Sequence, residues 1–334
     1  MSWEDVKPIL RPEGVHMGVM KVDKELCTGC GLCIRNCPFQ AWEMGGDDMP
    51  GMKETYECFS CYNCMVACPV EAISIVSQYH VDSGFWATDP HAVPFKMPMP
   101  PKDAEGNPAQ WNEVERAVLE RRSVRNFKDK EVPETLIRRV LEAGRFAPSA
   151  GNCQPWKFVV ITDKGLMNEM NEAVHGVISG VWGMYQNDDT VQYLAGMVDP
   201  ASPGMYDPRL AIGGMGAISR KHAPPLMNAP AVIIIAGDSR SIGGPQINAG
   251  ICGQNMNLVA NSLGIKACWV GFTAVLHMVP NFVEEKLGIK PPWQIISSLA
   301  LGWPEFKQEG MVPREFRPVT WYRQGGTGSE VDKG

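Results

Sequence analysis

Cysteine spacing constrains this chain more than any other feature of it. Eight of its eleven cysteines fall into two runs with the same spacing, C-x2-C-x2-C-x3-C-P. Such a run holds a 4Fe–4S cluster, and its fourth cysteine ligates the cluster of the other run. The spacing therefore predicts two clusters. One has the ligands Cys27, Cys30, Cys33 and Cys68, and the other has Cys58, Cys61, Cys64 and Cys37.

Zinc is the alternative metal for cysteines at such spacing. Structural zinc sites are tetrahedral and are usually built from paired Cys-x-x-Cys hooks, whereas each run here has four cysteines followed by proline. The runs are similar to those of two-cluster bacterial ferredoxins over residues 20–77, and we assign residues 1–76 to a ferredoxin-like domain. The other cysteines, Cys153, Cys252 and Cys268, are expected to be structural, because free cysteine commonly packs as a small hydrophobe.

Length and charge limit the classes of protein to which the chain can belong. Its 334 residues favour two domains. A formal net charge of −6 gives no support for a nucleic-acid-binding face. No apolar run is long enough to span a membrane, and the N-terminus lacks the pattern of a signal peptide. We therefore expect a cytoplasmic protein with no nucleic-acid or membrane partner.

The rest of the chain has the alternating pattern of an α+β domain. Residues 77–110 are rich in proline and predict an extended linker. Residues 111–324 then form the second domain, with an irregular excursion at 180–225 and a flexible tail at 325–334. Apolar periodicity predicts helices at 111–121, 133–144, 247–263 and 279–287 and strands at 158–161, 232–235, 266–270 and 295–301.

Two polar segments lie near the start of the second domain. The first, 121–127, reads RRSVRNF, and its arginines and hydroxyl suit a phosphate group. Alone it is also compatible with a solvated basic patch. The second, 147–156, reads APSAGNCQPW and leads into a strand. With the later segments NAP (228–230), CWVGF (268–272), LALGWP (299–304) and PR (313–314), these resemble the FMN-dependent nitroreductase family over residues 111–318.

This resemblance implies an α/β sandwich that binds FMN at the interface of a homodimer. Arg121, Ser123 and Arg125 would hold the phosphate and ribityl chain, with a C-terminal arginine adding charge. Pro148, Ser149 and Asn152 would approach the flavin from the partner subunit, and the backbone at Val270 and Gly271 would face flavin N5 and O4. The implied FMN-binding residues are Arg121, Arg122, Ser123, Arg125, Pro148, Ser149, Ala150, Asn152, Gln154, Val270, Gly271, Arg314 and Arg317.

Three observations limit the functional assignment of the second domain. Many family members have an acidic residue where this chain has Val270, so any side-chain role at that position is lost. No catalytic acid is assigned, although His175, Tyr185, Tyr193, Tyr206, Lys221 and His222 lie in or near the excursion. The glycines of IGGMGAIS (212–219) lack the G-x-G-x-x-G spacing of a dinucleotide site.

The fusion of the two domains predicts an iron–sulfur flavoenzyme. Clusters carry single electrons, and reduced FMN can deliver two electrons to an acceptor. We expect a ferredoxin or another low-potential donor to feed the clusters, and FMN to reduce a small organic acceptor such as a nitro compound, an activated alkene or a quinone. The alternatives are reverse flow, in which FMN oxidises a substrate and the clusters export electrons, and a pure electron carrier.

Overall fold

The computed structural model describes residues 14–82, 87, 95–196, 210–308, 310–324 and 329–332. The expectations for the extreme N-terminus, for part of the proline-rich linker, for Tyr206 and for the final residues lie outside this range. Within the described residues, no helix is both long enough and apolar enough to cross a bilayer.

The N-terminal module is small and built from short elements. Its strands pair antiparallel, β1 with β6, β2 with β5 and β3 with β4. The core of the module combines Met20, Trp42, Tyr62 and Ile73 with the cysteines. The elements in chain order are β1 (Val15–His16), β2 (Val19–Val22), α1 (Leu32–Arg35), β3 (Trp42–Met44), β4 (Pro50–Met52), α2 (Asn63–Ala67), β5 (Ile73–Ser77) and β6 (His80–Val81).

The two cysteine runs adopt the same backbone conformation. Gly31 precedes α1 with a φ of 67°, and Tyr62 precedes α2 with a φ of 60°. Two residues earlier, Gly29 has a φ of 67° and Ser60 a φ of 52°. Left-handed backbone costs a residue with a side chain roughly 1–2 kcal/mol, so the second run is the more strained of the two.

The C-terminal domain is built on an antiparallel sheet in the order β10-β11-β9-β8. Its strands and helices follow one another in the expected α+β pattern, which confirms the predicted class. The elements are β7 (Phe95–Lys96), α3 (Glu113–Glu120), α4 (Glu134–Arg145), β8 (Trp156–Ile161), α5 (Lys164–Tyr185), α6 (Asp188–Gly196), α7 (Gly216–Ser219), β9 (Ala231–Asp238), α8 (Pro245–Ser262), β10 (Lys266–Val270), β11 (Trp293–Gly302), β12 (Arg314–Glu315), β13 (Val319–Tyr322) and β14 (Ser329–Asp332).

Strand β9 shows why helices cover both faces of the sheet. Successive side chains of a strand point to opposite faces, and β9 is apolar on both. Val232 and Ile234 belong to the core that α5 closes, while Ile233 and Ile235 belong to the core closed by α4 and α8. The result is the α/β sandwich that the resemblance implied.

Three segments differ from the sequence expectations. Residues 279–287 form no α-helix. A short π-helix at Phe282–Lys286 takes its place and begins after Asn281, which adopts a left-handed conformation. A 3₁₀ segment at Gly271–Met278 precedes it. The described part of the 180–225 excursion is mostly helical, since α5 extends into it and α6 and α7 follow. The expected flexible tail contains β14, whose backbone pairs with β13.

Buried amides join the N-terminal module to the C-terminal domain. Asn36, which is 0% exposed, donates from Nδ2 to the backbone oxygen of Asn63 at 3.0 Å. Its Oδ1 accepts from Asn126 Nδ2 at 3.3 Å and from Gln308 Nε2. Asn63 in turn donates to the backbone oxygen of Ser123 at 3.3 Å. The loop that carries Cys61 and Cys64 is therefore bonded directly to the RRSVRNF segment.

Loss of the central amide should loosen this junction. Asn36→Ala leaves three polar groups without their partner in a buried place, at an expected total cost of about 2–4 kcal/mol. We expect the melting temperature to fall by roughly 4–8 °C, measured by circular dichroism. Asn126→Ala, away from the cysteines, should act in the same direction but less.

The exposed helical residue Asn168 provides the control. Asn168→Ala should change the melting temperature by no more than about 1 °C. Equal effects of Asn36→Ala and Asn168→Ala would contradict a structural role for the amide network.

Candidate functional site

The cysteines lie in two groups that exchange their fourth members. Cys27, Cys30 and Cys33 line one small cavity together with Cys68, from the other run. In the predicted second group, Cys58, Cys61 and Cys37 lie close enough to Cys64 to act on its charge, and so does Cys33 of the first run. The shared cavity agrees with the first predicted ligand set, and the assignment of the second set stays a prediction. Among the described residues no three metal-binding side chains are arranged around a single ion. A 4Fe–4S cluster does not require that arrangement, since each of its irons takes its own thiolate.

Backbone amides point at the sulfurs in the same way in both runs. The amide of Ala41 donates to Cys37 Sγ at 3.4 Å, and that of Ala72 donates to Cys68 Sγ at 3.3 Å. Burial raises the pKa of the Cys33 thiol to about 11 and that of Cys58 to about 12. Thiolates in such places need compensating cationic charge, which the irons of a cluster provide. The donor set therefore fits iron–sulfur clusters.

Arginines converge on a cavity of about 430 Å³ between the module and the domain. The sequence-predicted Arg121, Arg122, Ser123, Arg125, Arg314 and Arg317 all line this cation cavity. They reach it from two distant segments, the turn after α3 and strand β12 with its flank. On the module side its wall is formed by residues of the second cysteine run and of the link between β5 and β6, namely Phe59, Ser60, Cys61, Tyr62, Asn63, Gln78 and Tyr79.

The charge of this cavity is poorly compensated. Its lining includes one carboxylate, Glu315, which forms an ion pair with Arg317. Burial, and then the neighbouring Arg314 and Arg121, lower the pKa of Arg122 to about 10. Nη1 of Arg121 is buried and makes no hydrogen bond to the described residues. Several guanidinium groups without counter-charge fit an anion with several oxygens, and a phosphate ester is such an anion.

A second cavity of about 430 Å³ continues from the first and is more apolar. Phe59, Tyr79 and Arg125 line both. The predicted Val270 and Gly271 line only this second one, which we call the ring cavity. Its other lining residues are Phe39, Gly214, Ala217, Ile218, Ala223, Pro224, Met227, Trp269 and Phe272. A ligand with an anionic end and a flat apolar end fits the two cavities together.

Arg125 stands at the junction of the two cavities. Its guanidinium carbon lies 5.6 Å from the centre of the Phe39 ring, and Nη1 donates to the backbone oxygen of Ser123 at 3.3 Å. Burial alone would lower the pKa of Arg125, but the thiols of Cys268, Cys61 and Cys37 raise it above its usual value. This arginine therefore lies beside two of the second group of cysteines and beside the proposed cofactor space.

The predicted segment 148–154 lies outside both cavities of its own chain. Pro148, Asn152 and Gln154 are exposed, while Ser149 and Ala150 are half-buried. The segment nevertheless has a defined shape, because Ser149 Oγ accepts the backbone amide of Gln154 at 2.9 Å. Asn152 and Gln154 adopt left-handed conformations. The structure of one chain does not bring these five residues to the arginines.

None of the candidate acids and bases of the excursion that the structure describes lines the ring cavity. His175 lies 3.3 Å from the backbone oxygen of Ser219, and Tyr185 is buried in the core. His222 lies 3.3 Å from Glu57, which also pairs with Arg220. Tyr193 and Lys221 are exposed. No catalytic acid is assigned from these positions.

The remaining cysteines divide into two kinds. Cys252 and Cys268 are buried, as expected for structural residues, whereas Cys153 is exposed. Sequence reasoning missed the aromatic residues of the module that line the cavities, Phe39, Phe59 and Tyr79. Their positions gave one signal, since Phe39 follows Cys37-Pro38 and Phe59 follows Cys58 directly.

Comparison with known proteins places both parts of the chain. Residues 118–303 match the sequence model of the nitroreductase family, and residues 19–76 match that of the 4Fe–4S dicluster domain. The chain is 22% identical to the chloronitrobenzene nitroreductase of Comamonas testosteroni over 205 residues, which cover 58% of this chain and 87% of that protein.

Two further proteins are similar to parts of the chain. One is an NADH dehydrogenase of Thermus thermophilus, 47% identical over 60 residues that cover 18% of this chain and 29% of that protein. The other is the crystal structure of a nitroreductase with bound FMN from Desulfitobacterium hafniense. It is 26% identical, covers 61% of this chain and 96% of its own, and has a TM-score of 0.46.

The family match extends over more than half of the 334 residues and includes the sheet, the helices on both its faces and the arginine turn after α3. The expected resemblance is thereby confirmed. The chain belongs to the nitroreductase family of oxidoreductases and carries a 4Fe–4S dicluster domain ahead of its family domain.

Proposed function

We propose that the protein passes electrons from a low-potential donor through two 4Fe–4S clusters to FMN, which reduces a small organic acceptor. The observation that carries this proposal is the shared lining of the cation cavity. Cys61 belongs to the second cysteine group and lines the same space as Arg121 and Arg122. A cofactor in that space would lie next to a cluster ligand.

In this proposal the arginines hold the FMN phosphate. Arg121, Arg122, Arg314 and Arg317 supply positive charge, and Ser123 adds a hydroxyl. Support comes from the orphaned Nη1 of Arg121 and from the lowered pKa of Arg122, because both indicate guanidinium groups that lack an anion. Val270 and Gly271 line the ring cavity, where their backbone would face the flavin.

The exposed segment 148–154 supports a site completed by a second copy of the chain. Pro148, Ser149, Ala150, Asn152 and Gln154 belong to a shaped loop that lines neither cavity of its own chain. We propose that these residues reach the flavin of the partner subunit in a homodimer. Left-handed residues are strained, and a strained conformation persists only where the surrounding structure supports it. A partner subunit packed against the loop would provide that support.

Exposure gives the electron path a direction in this proposal. Cys30 of the first cysteine group is exposed, whereas the second group adjoins the cation cavity through Cys61. An external donor would reach the first cluster, and electrons would leave the second cluster toward FMN.

The clusters can be counted directly. We expect about eight irons and eight sulfides per chain after anaerobic purification, measured by metal and sulfide analysis. Cys30→Ala should lose one cluster preferentially and leave the other visible by electron paramagnetic resonance. Cys153→Ala, outside both groups, should keep the full iron content. Purified protein that contains zinc or a single cluster would contradict the two-cluster proposal.

The arginines should decide the affinity for FMN. Arg121→Ala and Arg122→Ala each remove a charge-assisted partner of a phosphate, worth about 1.5–3 kcal/mol. We expect FMN affinity to fall by roughly 10- to 150-fold, measured by fluorescence titration. Arg138→Ala, on the exposed face of α4 and paired with Glu134, should bind FMN like the wild type. Unchanged affinity in the two cavity variants would show that the phosphate binds elsewhere.

The direction of flow can be measured by rapid-mixing absorbance spectroscopy. With a reduced low-potential ferredoxin, the clusters should be reduced before FMN, and both steps should be at least as fast as turnover. The reverse order with NADH or NADPH as donor, at the rate of turnover, would make the clusters an exit and overturn the proposed direction.

A further inference from the structure

Every residue between Cys58 and Cys64 lines the cation cavity. The same segment, 59–63, is part of the second cysteine run, whose cysteines are the predicted ligands of the second cluster. The first run differs in this respect, because none of residues 27–33 lines the cation cavity or the ring cavity. One short turn of the module therefore contributes both to the second cluster and to the proposed phosphate site.

Tyr62 brings a hydroxyl group to the arginines from the module side. Its ring lies beneath Arg314, whose guanidinium carbon is 5.9 Å from the ring centre. Ser60 Oγ accepts the backbone amide of Tyr79 at 3.0 Å, and the Ser60 side chain is hydrogen-bonded to that of Tyr62. Such a chain of bonds orients the Tyr62 hydroxyl, and a hydroxyl can donate to a phosphate oxygen. A neutral donor adds no positive charge to the arginines of this cavity.

Gln78 also reaches the cation cavity from the module, between β5 and β6. Its Nε2 donates to Oε1 of Glu315 at 2.8 Å, while Arg317 pairs with Oε2 of the same carboxylate. Glu315 is the one carboxylate among the described residues that line this cavity. Because a partner holds each of its oxygens, the carboxylate has a fixed place, and its repulsion of a bound phosphate is reduced.

We propose that the module forms one side of the FMN phosphate site, and that FMN and the second cluster thereby favour each other's binding. Tyr62 donates to a phosphate oxygen, while Ser60 and Gln78 act as positioning residues. This inference rests on the proposed function and adds a regulation of its cofactor site. A coupling between two binding sites is reciprocal. The cluster fixes the turn that FMN contacts, and FMN in turn restrains the same turn around the cluster.

The first test compares FMN with riboflavin, which lacks the phosphate, by fluorescence titration of the flavin-free full chain with its clusters in place. Tyr62→Phe removes only a hydroxyl and should weaken FMN binding by about tenfold or more, the effect of one hydrogen bond to a charged group. Gln78→Ala should weaken it by about two- to tenfold, because Glu315 then loses a partner and can approach the phosphate. Neither variant should change the affinity for riboflavin, since the lost contacts concern the phosphate alone.

Tyr56→Phe is the matched control. Tyr56 belongs to the same module and packs against the core that contains Tyr62, two positions before Cys58, but it lines neither cavity. This variant should bind FMN like the wild type. Iron content is measured in every variant. Should Tyr62→Phe lose iron, Gln78→Ala decides the question, because Gln78 lies outside both cysteine runs.

The second test measures the release of iron to a chelator under anaerobic conditions, with and without saturating FMN. A ligand that binds only the closed turn lowers the population of the opened one. We expect FMN to slow the release of about half of the iron by roughly three- to tenfold, and to leave the other half, from the first cluster, unchanged. Tyr62→Phe should lose most of this protection, and Tyr56→Phe should keep it.

Three results would contradict the coupling: unchanged FMN affinity in Tyr62→Phe and Gln78→Ala, an equal loss of riboflavin affinity, or iron release that FMN does not slow. A loss in Tyr56→Phe as large as that in Tyr62→Phe would assign the effect to the fold of the module and overturn the inference as well. A wild type that takes up no FMN would overturn the proposed function together with this inference. FMN binding that does not depend on the module residues overturns the inference alone.

Discussion

The structure depends on one buried amide, that of Asn36. It fixes three segments that are far apart in sequence: the turn carrying Cys61 and Cys64 through Asn63, the arginine turn through Asn126, and the C-terminal segment through Gln308. Buried polar groups of this kind tolerate few alternative arrangements, because each lost partner leaves an unsatisfied group. The position of the second cysteine group relative to the cation cavity follows from this amide.

Uncompensated positive charge in the cation cavity is the second constraint, because its arginines need a bound anion as counter-charge. Without an anion the arginines face one another, and burial opposes their charged form at Arg122. A bound phosphate ester would provide the missing counter-charge and link β12 to the turn after α3. The cysteine groups have the opposite need, since their buried sulfurs require cations. Each half of the protein is therefore arranged around charge that its own chain does not supply.

The sequence predicted those elements that depend on short-range residue patterns. The cysteine spacing predicted that Cys68 joins the first run around one cavity, and the β-branched runs predicted the four strands of the sheet. The capping box of Asn112 and Glu115 explains why α3 begins at 113 rather than 111. What it missed depends on tertiary packing. The irregular composition of 180–225 hid helices that pack on the core. Nothing in the sequence placed Phe39 or Phe59 in one cavity with Trp269, because that arrangement depends on how the two domains dock.

The two cysteine turns share one backbone conformation but carry different side chains. Where the first copy has Gly29 and Gly31, the second has Ser60 and Tyr62 in the same left-handed conformation. Both of these side chains line the cation cavity, so the strain of the second copy is compensated by contacts that only it makes. The two ends of the module therefore differ. The first turn carries glycines, which have no side chain, and the second presents Ser60 and Tyr62 to the cation cavity. In the proposed function, this difference separates the end that an external donor meets from the end that adjoins FMN.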